Sequence, residues 1–544
     1  MPDIIGAAGR PAVAMDIRRR THLLIPLLLF VFLSCLYGLC IQGVPRRGDP
    51  EGMFLVARSL ALRGDAALAP DASIPMVAGR GGRLYSKFAP GLPLAQAPFV
   101  RVAAAFTGPA QPGGAGYAFQ YLAACACVAL AAALCSIILY LFILDLGYSC
   151  GAAMACALAC GAGSMLWPYA GAGFSEPLQA LCLLGSLWAA RRAAQGGRAL
   201  PWAVVSGACA GWLGLTKPAM FVFAPLLFFY MMASVRAARG RALRAAAAWA
   251  VPFLVLVLAT LGYNWLRFGD FLNFGYTGHF DREHGFGTPL LAGLYGLLFS
   301  PGKSVFVYAP SVLLGLAGAR AFHRAHPRAS FLCWAACAGV TLLYARWWAW
   351  HGDWAWGPRF LVPALPLALV PAAALFQNFA SLAWWKRALA ACVFAASVAV
   401  QVPGVAVHYG NHLYLVTRAL PVSPFYMSGQ KDLRDGQLGA HFVPELSPVA
   451  GHAWLLRHAI ARGGPDPEAM ARTAPWRTLL RMPDAMPPPD MLREAARVQF
   501  WHAEYPRHYP GAAPWAAAAR NALALTLAAA ALFLAMTRVR IRGQ

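Results

Sequence analysis

The sequence predicts an all-α polytopic membrane protein. Hydrophobic residues make up 59% of the 544 residues and charged residues only 12%, and the mean hydropathy is +0.54. These values lie outside the range of soluble globular proteins. A helix crosses the ~30 Å hydrocarbon core with roughly 17 to 25 apolar residues. Because stretches of this kind recur along almost the whole chain, a soluble enzyme with a single anchor is excluded.

The apolar stretches predict about 12 transmembrane helices. They lie near residues 21–42, 117–145, 150–168, 174–190, 200–216, 218–234, 245–266, 304–319, 330–346, 358–377, 386–404 and 515–537. The first follows a run of three arginines at 18–20 and lacks the small-residue cleavage site of a secretory signal, so we expect it to remain as an anchor.

The distribution of Lys and Arg predicts the orientation, because basic residues accumulate in short cytoplasmic loops. With the N-terminus inside, the inner segments hold 19 Lys and Arg, opposed only by Asp3 and Asp16. These segments are 1–20, 146–149, 191–199, 235–244, 320–329, 378–387 and 538–544. We therefore expect both termini in the cytoplasm. The net charge of +24 is then mainly a topology signal, and no nucleic-acid-binding module is visible.

This topology divides the chain into four parts. A basic cytoplasmic N-terminus (1–20) precedes a transmembrane module (21–404), a periplasmic segment (405–514), and a last transmembrane helix with a basic tail (515–544). The first outer loop, 43–116, and the segment 405–514 are too long to be simple connectors, and long loops often carry function. Within the first loop, 53–62 and 92–106 are expected to form interfacial helices, whereas 405–514 is expected to form a small outer domain.

Two carboxylates follow the first span on the outer side, Asp49 and Glu51. A carboxylate at this position can act as a general base, because a hydroxyl acceptor loses its proton as it attacks. Solvated loop acids, or an Asp that caps the next helix with Pro50 in its first turn, explain the same pattern.

Cationic residues occur at several predicted outer ends. Lys87, close to Tyr85 and a Pro-Gly turn, could hold a phosphate near the membrane interface or extend to lipid headgroups. Glu176 and Lys217 flank neighbouring spans and are expected to pair, either in a polar site or as a structural ion pair.

Two further outer loops contain dense polar or aromatic groups. His279 and His284 flank two acids and could bind a divalent cation, but their spacing matches no compact metal motif, which favours an exposed polar loop. The other loop has five Trp within 347–356 and ends at Trp356-Gly357-Pro358-Arg359. It suits either an aromatic belt or sugar stacking beside a phosphate-binding Arg.

Seven short motifs in this order resemble the membrane-embedded GT-C glycosyltransferases that use polyprenyl-phosphate sugars, close to the protein O-mannosyltransferase and aminoarabinose-transferase branch. The resemblance covers about residues 20–405. The motifs are Gly-Asp-Pro-Glu, Gly-Arg-Leu-Tyr-Ser-Lys-Phe-Ala-Pro-Gly, Phe-Ser-Glu-Pro, Leu-Thr-Lys-Pro, Tyr-Asn-Trp-Leu-Arg-Phe-Gly, Ser-Pro-Gly-Lys and Trp-Gly-Pro-Arg-Phe.

The resemblance implies an inverting transfer in the bacterial inner membrane, with the active site on the periplasmic side. It implies that a carboxylate, Asp49 first and Glu51 second, deprotonates a lipid, glycan or protein acceptor, with Glu176 as a second acid. Here Pro50 separates the two acids, whereas many relatives have them adjacent. The candidates for binding the donor sugar and its phosphate are Tyr85, Lys87, Lys217, Arg267, Lys303, Trp356 and Arg359. Some relatives bind a divalent metal ion near this loop, which would give His279 or His284 a role.

Two other functions fit the same residues. A transporter or flippase for a lipid-linked glycan would also need cations for a phosphate lipid, although polar groups near the middle of the membrane are typical of transporters. A glycan polymerase or ligase would differ by moving a whole glycan instead of one sugar.

Overall fold

The computed structural model describes residues 10–46, 48–70, 72, 74–108, 110–195, 198–235, 239–276, 285–352, 354–419, 440–476 and 486–542. Their regular secondary structure is almost entirely helical, which confirms the predicted all-α, multi-pass membrane fold. The helices of the transmembrane module are α1 (Arg10–Leu39), α2 (Asp49–Arg63), α3 (Gly91–Thr107), α4 (Ala115–Asp145), α5 (Cys150–Gly161), α6 (Leu166–Gly171), α7 (Glu176–Ala194), α8 (Ala199–Thr216), α9 (Ala224–Ser234), α10 (Arg239–Phe268), α11 (Leu290–Phe299), α12 (Val305–Tyr308), α13 (Val312–Ala325), α14 (Pro327–Ala345), α15 (Leu365–Leu369), α16 (Ala372–Gln377) and α17 (Trp384–Ala406).

The outer segment and the last span add six further helices within the described residues. They are α18 (Asn411–Ala419), α19 (Pro448–Ala459), α20 (Pro467–Thr473), α21 (Pro489–Ala495), α22 (Trp501–His508) and α23 (Ala513–Arg542). Short 3-10 helices occupy Arg80–Gly82, Pro218–Phe223, Arg359–Ala364, Phe379–Ser381, Pro444–Leu446 and Pro510–Ala512.

Six helices of the described chain are long and apolar enough to cross a membrane. They are Ala115–Asp145, Ala199–Thr216, Gly240–Phe268, Pro327–Ala345, Trp384–Ala406 and Pro510–Thr537. Four other predicted spans contain shorter apolar helices, Leu24–Leu39, Cys150–Gly161, Pro218–Ala233 and Arg359–Leu369. The predicted span at 304–319 is divided into two helices, α12 and α13, because Pro310 interrupts the helix between them. A further apolar helix, Leu290–Phe299, was not among the predicted spans.

The first outer loop contains the two expected helices, α2 and α3, together with a small sheet that was not predicted. Its strands are β1 (Ala67–Leu68), β2 (Val77–Ala78) and β3 (Leu84–Tyr85), and β3 lies between the other two in antiparallel pairing. Tyr85 is opposite both Ala67 and Val77. Strands of two residues give too short an alternating pattern to be recognised in a sequence.

The outer segment has a hydrophobic core of its own, which includes Leu413, Leu455 and Trp476. It is joined to the transmembrane module near the end of α1, where the Trp501 indole donates a hydrogen bond to the Gly38 carbonyl over 2.8 Å. These contacts hold the segment against the same end of the helices at which the charged residues described below converge.

Candidate functional site

A narrow cavity brings together six charged side chains that are far apart in the sequence. Each comes from the end of a helix or from a loop next to one, so the cavity lies where α2, α7, α8 and α10 begin or end. The six are Asp49, Lys87, Glu176, Lys217, Arg267 and Arg359. All six are among the residues predicted from the sequence.

Asp49 is the first residue of α2 and follows Gly48, whose φ of 152° favours glycine. Asp49 and Glu51 both lie in the first turn, where the helix dipole stabilises negative charge. Successive helical residues are rotated by about 100°, so residues two apart point in nearly opposite directions. Asp49 and Met53 face the cavity, whereas Glu51 does not line it.

Arg359 is the central cation of the site. One guanidinium nitrogen lies 2.8 Å from a carboxylate oxygen of Asp49, and Nε lies 3.9 Å from Glu176 Oε1. The guanidinium carbon lies 5.1 Å and 4.9 Å from the ring centroids of Phe174 and Phe360, within the range of cation–π contacts. Arg359 therefore connects the two carboxylates in a partly aromatic environment.

The Trp-rich loop makes room for Arg359 through Gly352, which has a φ of +73°. A Cβ atom at this position would lie 2.7 Å from Cγ of Arg359. Side chains other than glycine rarely adopt this φ. Gly352 is therefore needed both for the turn of the loop and for the position of the arginine.

The predicted pairing of Glu176 with Lys217 is replaced by a different one. Among the described residues, the ion-pair partner of Glu176 is Arg359, while the Lys217 ammonium lies 5.4 Å from the ring centroid of Phe360. Lys217 still lines the same cavity. The sequence therefore predicted correctly that both residues lie at one site. The central position is taken by Arg359, because its planar guanidinium can face two carboxylates at once.

Arg267 fixes the loop that carries Lys87. Its guanidinium donates hydrogen bonds to the Ser86 carbonyl over 2.6 Å and to the Asn264 side-chain oxygen over 2.9 Å. The side chain is almost fully buried and stacks against Tyr263, with 4.0 Å to the ring centroid. Arg267 thus contributes charge to the cavity and also positions the neighbouring lysine.

The cations of the cavity keep Asp49 ionised. Burial raises the pKa of the Asp49 carboxyl, and the Arg359 guanidinium opposes this effect most strongly. Lys87 and Lys217 lower the pKa as well, so that it lies below its ordinary value. Asp49 is therefore a carboxylate throughout the physiological pH range.

Cations exceed carboxylates in this cavity. Four positively charged side chains line it together with only two carboxylates, an excess of two positive charges among the described lining residues. Charges removed from water require compensation by opposite charges. The cavity is thus suited to an anionic group with about two negative charges, such as a phosphate. The cavity has a volume of about 30 Å³.

Four predicted site residues lie outside this cavity. Glu51 is buried on the opposite face of α2, where it lines a second cavity. Tyr85 is buried in β3 against Phe268. The Lys303 ammonium donates to the carbonyls of Ala355 (2.8 Å) and Gly357 (3.2 Å), and so supports the Trp-rich loop from within.

Trp356 is the fourth of these residues. It is buried, with its ring centroid 4.9 Å from that of Tyr308 and 5.0 Å from that of His452, and it does not face the cavity. The Trp356 carbonyl accepts a hydrogen bond from the Tyr169 hydroxyl over 2.7 Å. A tryptophan in this environment packs the transmembrane module against the outer segment.

The predicted metal-binding histidines, His279 and His284, lie outside the described residues. Within the part of the chain that the structure describes, no group of three or more His, Cys, Asp or Glu side chains could hold a metal ion.

Several lining residues were not among the predicted site residues. Asn264 lies one helical turn before Arg267 in the Tyr-Asn-Trp-Leu-Arg motif, and the i, i+3 spacing could have indicated it. Thr216 precedes Lys217 and also lines the cavity. The Tyr276 ring centroid lies 5.9 Å from the Lys87 ammonium. No pattern in the sequence distinguishes Tyr276 from the other aromatic residues of its loop.

The fold and site together define a multi-pass membrane protein with a buried, cation-rich cavity at one end of its helices. No protein-family model matches the sequence, and no curated protein matches it. The structure is similar to ArnT from Cupriavidus metallidurans bound to undecaprenyl phosphate, at 15% identity and a TM-score of 0.46, covering 89% of this chain and 77% of that one. The apo state of the same protein gives 14% identity, a TM-score of 0.47, and coverage of 90% and 78%.

An archaeal oligosaccharyltransferase is also similar. It is AglB from Archaeoglobus fulgidus, in complex with an inhibitory peptide and a dolichol phosphate, at 13% identity and a TM-score of 0.42, covering 78% of this chain and 60% of that one. At such identities and TM-scores, the reaction has to be inferred from the chain's own residues.

Proposed function

We propose that the protein is a glycosyltransferase that transfers a sugar from a polyprenyl-phosphate donor to an acceptor hydroxyl at the periplasmic face of a bacterial inner membrane. The observation that carries this proposal is the cavity in which Asp49, an ionised carboxylate, lies among Arg359, Lys87 and Lys217. A base next to an excess of cations suits a reaction in which a hydroxyl attacks and a phosphate leaves.

In the proposed reaction, a carboxylate oxygen of Asp49 accepts the proton of the acceptor hydroxyl. The hydroxyl oxygen forms a bond to the anomeric carbon as the bond between that carbon and the phosphate oxygen breaks. The leaving polyprenyl phosphate keeps the electron pair of the broken bond. A single displacement of this kind inverts the configuration at the anomeric carbon.

The cations stabilise the negative charge that develops on the leaving phosphate. Lys87 and Lys217 have flexible stems that can follow the phosphate, whereas Arg267 is fixed by its hydrogen bonds to Ser86 and Asn264. Fixed and mobile cations together suit a group whose charge increases during the reaction.

Donor binding is also expected to prepare the base. Arg359 forms a 2.8 Å ion pair with Asp49, and the cavity around the pair is small. A phosphate in the cavity competes for the guanidinium and neutralises part of the positive charge. Both effects raise the pKa of Asp49 and make the carboxylate a stronger base.

The test is sugar transfer by purified protein in lipid vesicles, with a panel of radiolabelled polyprenyl-phosphate sugars and a membrane extract as acceptor. Loss of a general base costs about 10²- to 10⁴-fold in rate, so Asp49→Asn is expected to abolish measurable transfer and to keep donor binding. Asp145→Asn is the matched control, because Asp145 also has arginine partners but lies at the end of α4, where it contacts the end of α7 that is far from the cavity.

Two results would overturn the proposal. One is equal transfer by the wild type and Asp49→Asn. The other is no transfer from any donor, together with movement of the lipid between the leaflets, which would favour a flippase.

A further inference from the structure

A second, larger cavity lies on the opposite face of α2 from the catalytic site proposed above. It has a volume of about 740 Å³, and Glu51, Leu55, Arg58 and Leu62 line it at helical spacing along one face of α2. Asp49 and Met53 line the first cavity instead. Helix α2 therefore separates two cavities, and its first turn presents one carboxylate to each.

The second cavity contains a buried carboxylate oxygen without a partner. Glu51 is 7% exposed, and its Oε2 has no hydrogen-bond partner among the described residues. An unsatisfied buried carboxylate oxygen is costly, because it has lost its hydration without gaining a hydrogen bond. Its presence in a large cavity points to a ligand with a hydroxyl or ammonium group.

The same cavity has two guanidinium groups, Arg58 and Arg63. Arg58 donates hydrogen bonds to the Gln120 side chain (2.8 Å) and the Ala110 carbonyl, and Arg63 donates to the Ser59 hydroxyl (2.8 Å) and the Ala67 carbonyl. Each guanidinium has five N–H donors, so these bonds leave donors for a ligand. A ligand that binds both the two guanidinium groups and Glu51 needs a phosphate for the arginines and a hydroxyl or ammonium group for the carboxylate.

An apolar groove adjoins this cavity. It has a volume of about 690 Å³, is lined by aromatic residues that include Phe106, Phe119 and Trp515, and shares His508 and Tyr509 with the second cavity. It lies where two membrane-spanning helices begin, α4 at Ala115 and the last span at Pro510. The second cavity, with its charged side chains, is joined to an apolar groove at the ends of two spans. This arrangement suits a molecule with a polar head and a hydrocarbon tail.

We propose that this composite cavity binds an amphipathic phospholipid-like molecule, with its phosphate at Arg58 and Arg63, a head-group hydroxyl or ammonium at Glu51, and an acyl chain in the aromatic groove. Glu51 lies two residues from Asp49 on the first turn of α2. Because the two carboxylates point to opposite faces of α2, this lipid site is separate from the proposed catalytic cavity and goes beyond the proposed function.

The test uses phosphatidylglycerol with a diazirine on its acyl chain, photolysed with the full-length protein in lipid vesicles, and mass spectrometry of the labelled peptides. We expect labelling concentrated in 106–119 and 505–515. Gly511 lines the groove, and a Cβ atom there has no neighbour within 4 Å. Gly511→Trp is expected to reduce this labelling about tenfold, because a bulky side chain fills the space that a ligand needs.

The matched control is Gly151→Trp, the same substitution at a glycine with equally open surroundings near the other end of α4. It should leave the labelling unchanged. Labelling spread evenly over the lipid-facing helices, or equal loss in both variants, would overturn the lipid site. Because labelling needs no turnover, a protein that labels as expected but transfers no sugar keeps the lipid site and loses the proposed function.

The contribution of Glu51 is measured by comparing two probes. Phosphatidic acid lacks the head-group hydroxyl, so the wild type is expected to label with phosphatidylglycerol about tenfold more, as one hydrogen bond to a charged acceptor predicts. In Glu51→Leu the two probes should label equally, and an unchanged preference would overturn the role of Glu51. Displacement of the probe by equimolar polyprenyl phosphate would assign the cavity to the donor and overturn the phospholipid site.

Discussion

Helix α7 carries a charged cluster at each end, and the two clusters differ in how their charges are satisfied. At its start, Glu176 faces Arg359 in the proposed catalytic cavity. At its end, Arg191 and Arg192 contact Asp145 of α4. With a rise of 1.5 Å per residue, the two clusters are about 23 Å apart along the helix.

The Asp145 cluster is closed and self-sufficient. Its carboxylate accepts hydrogen bonds from the Trp188 indole (2.8 Å) and from Arg192 (3.1 Å), and its backbone carbonyl accepts from Arg191 (2.6 Å) and Gln195 (3.2 Å). The Arg192 and Asp145 side chains are 39% and 17% exposed, so water also solvates them. This cluster connects α4 to α7 and requires no ligand.

At the start of α7, by contrast, the hydrogen bonds and charges of the cluster are not all satisfied by the described residues. The Glu176 side chain is 5% exposed, and its Oε2 has no hydrogen-bond partner among the described residues. Among its described lining residues, the cavity around Glu176 has four cations and two carboxylates. The two clusters on one helix thus show that charged residues alone do not indicate a binding site. Buried charges that the described residues leave uncompensated are the better indicator.

Among changes to the two clusters of α7, the largest effect is expected from removing the central cation. Arg359→Gln leaves Asp49 and Glu176 without their shared partner and removes one contact to the donor phosphate. Removing one charge-assisted donor from a buried site costs about 10²- to 10³-fold in rate. We expect a loss of this size in kcat/KM for the donor, measured by radiolabelled transfer in vesicles.

Arg359→Lys distinguishes charge from geometry. Lysine keeps the charge but cannot face two carboxylates in one plane, so it should recover only a small part of the lost kcat/KM. Full recovery by lysine would show that the site needs only a positive charge, and the contrast between the two clusters of α7 would then be one of burial alone.

The sequence predicted the members of the proposed catalytic cavity better than their pairings. Glu176, Lys217 and Arg267 are each recognisable locally, because a charged residue at the end of an apolar helix is unusual. Which cation meets which carboxylate depends on how segments that are more than 100 residues apart in sequence pack together. This is why Arg359 was not predicted as the partner of Glu176, and why Lys303 was predicted at the site although it binds the carbonyls of the Trp-rich loop.

The fold was likewise predicted well where a long local pattern exists and poorly where the structure depends on short segments. Apolar stretches are long enough to recognise helices such as α4, α10 and α17. The break between α12 and α13 and the sheet of the first outer loop depend on short segments, where periodicity carries little information. Glu51 was predicted next to Asp49 as an alternative base, and only the rotation of α2 shows that it faces another cavity.

The outer segment contains buried histidines, which differ from the charged clusters of α7 because a histidine can be buried in its neutral form. His412 is fully buried, with Nε2 at 2.9 Å from the Leu446 carbonyl and Nδ1 without a partner among the described residues. Burial, and then the neighbouring His452, lower the pKa of His412 from 6.5 to about 3. The folded protein therefore holds His412 neutral, whereas the unfolded chain binds a proton below pH 6.5.

Stability is consequently lost as the pH falls below 6.5. At pH 5 the deficit from His412 is about 2 kcal/mol, since each pH unit below the unfolded pKa costs about 1.4 kcal/mol. We expect the melting temperature of wild-type protein in detergent to fall between pH 7 and pH 5, and His412→Gln to reduce this fall. Exposed His323 gives the control, because His323→Gln should change nothing. An identical fall in His412→Gln would show that the histidine is protonated in the fold.

The smallest effect is expected at the closed cluster of α7. Arg192→Gln removes one hydrogen bond to Asp145, while Trp188 and Arg191 still contact the same residue. Partly exposed ion pairs contribute up to about 1 kcal/mol, so we expect a melting temperature close to that of the wild type and unchanged transfer. Transfer activity that fell as far as in Arg359→Gln would contradict the assignment of this cluster to structure, because a residue about 23 Å from the cavity could then act on it only through α7 itself.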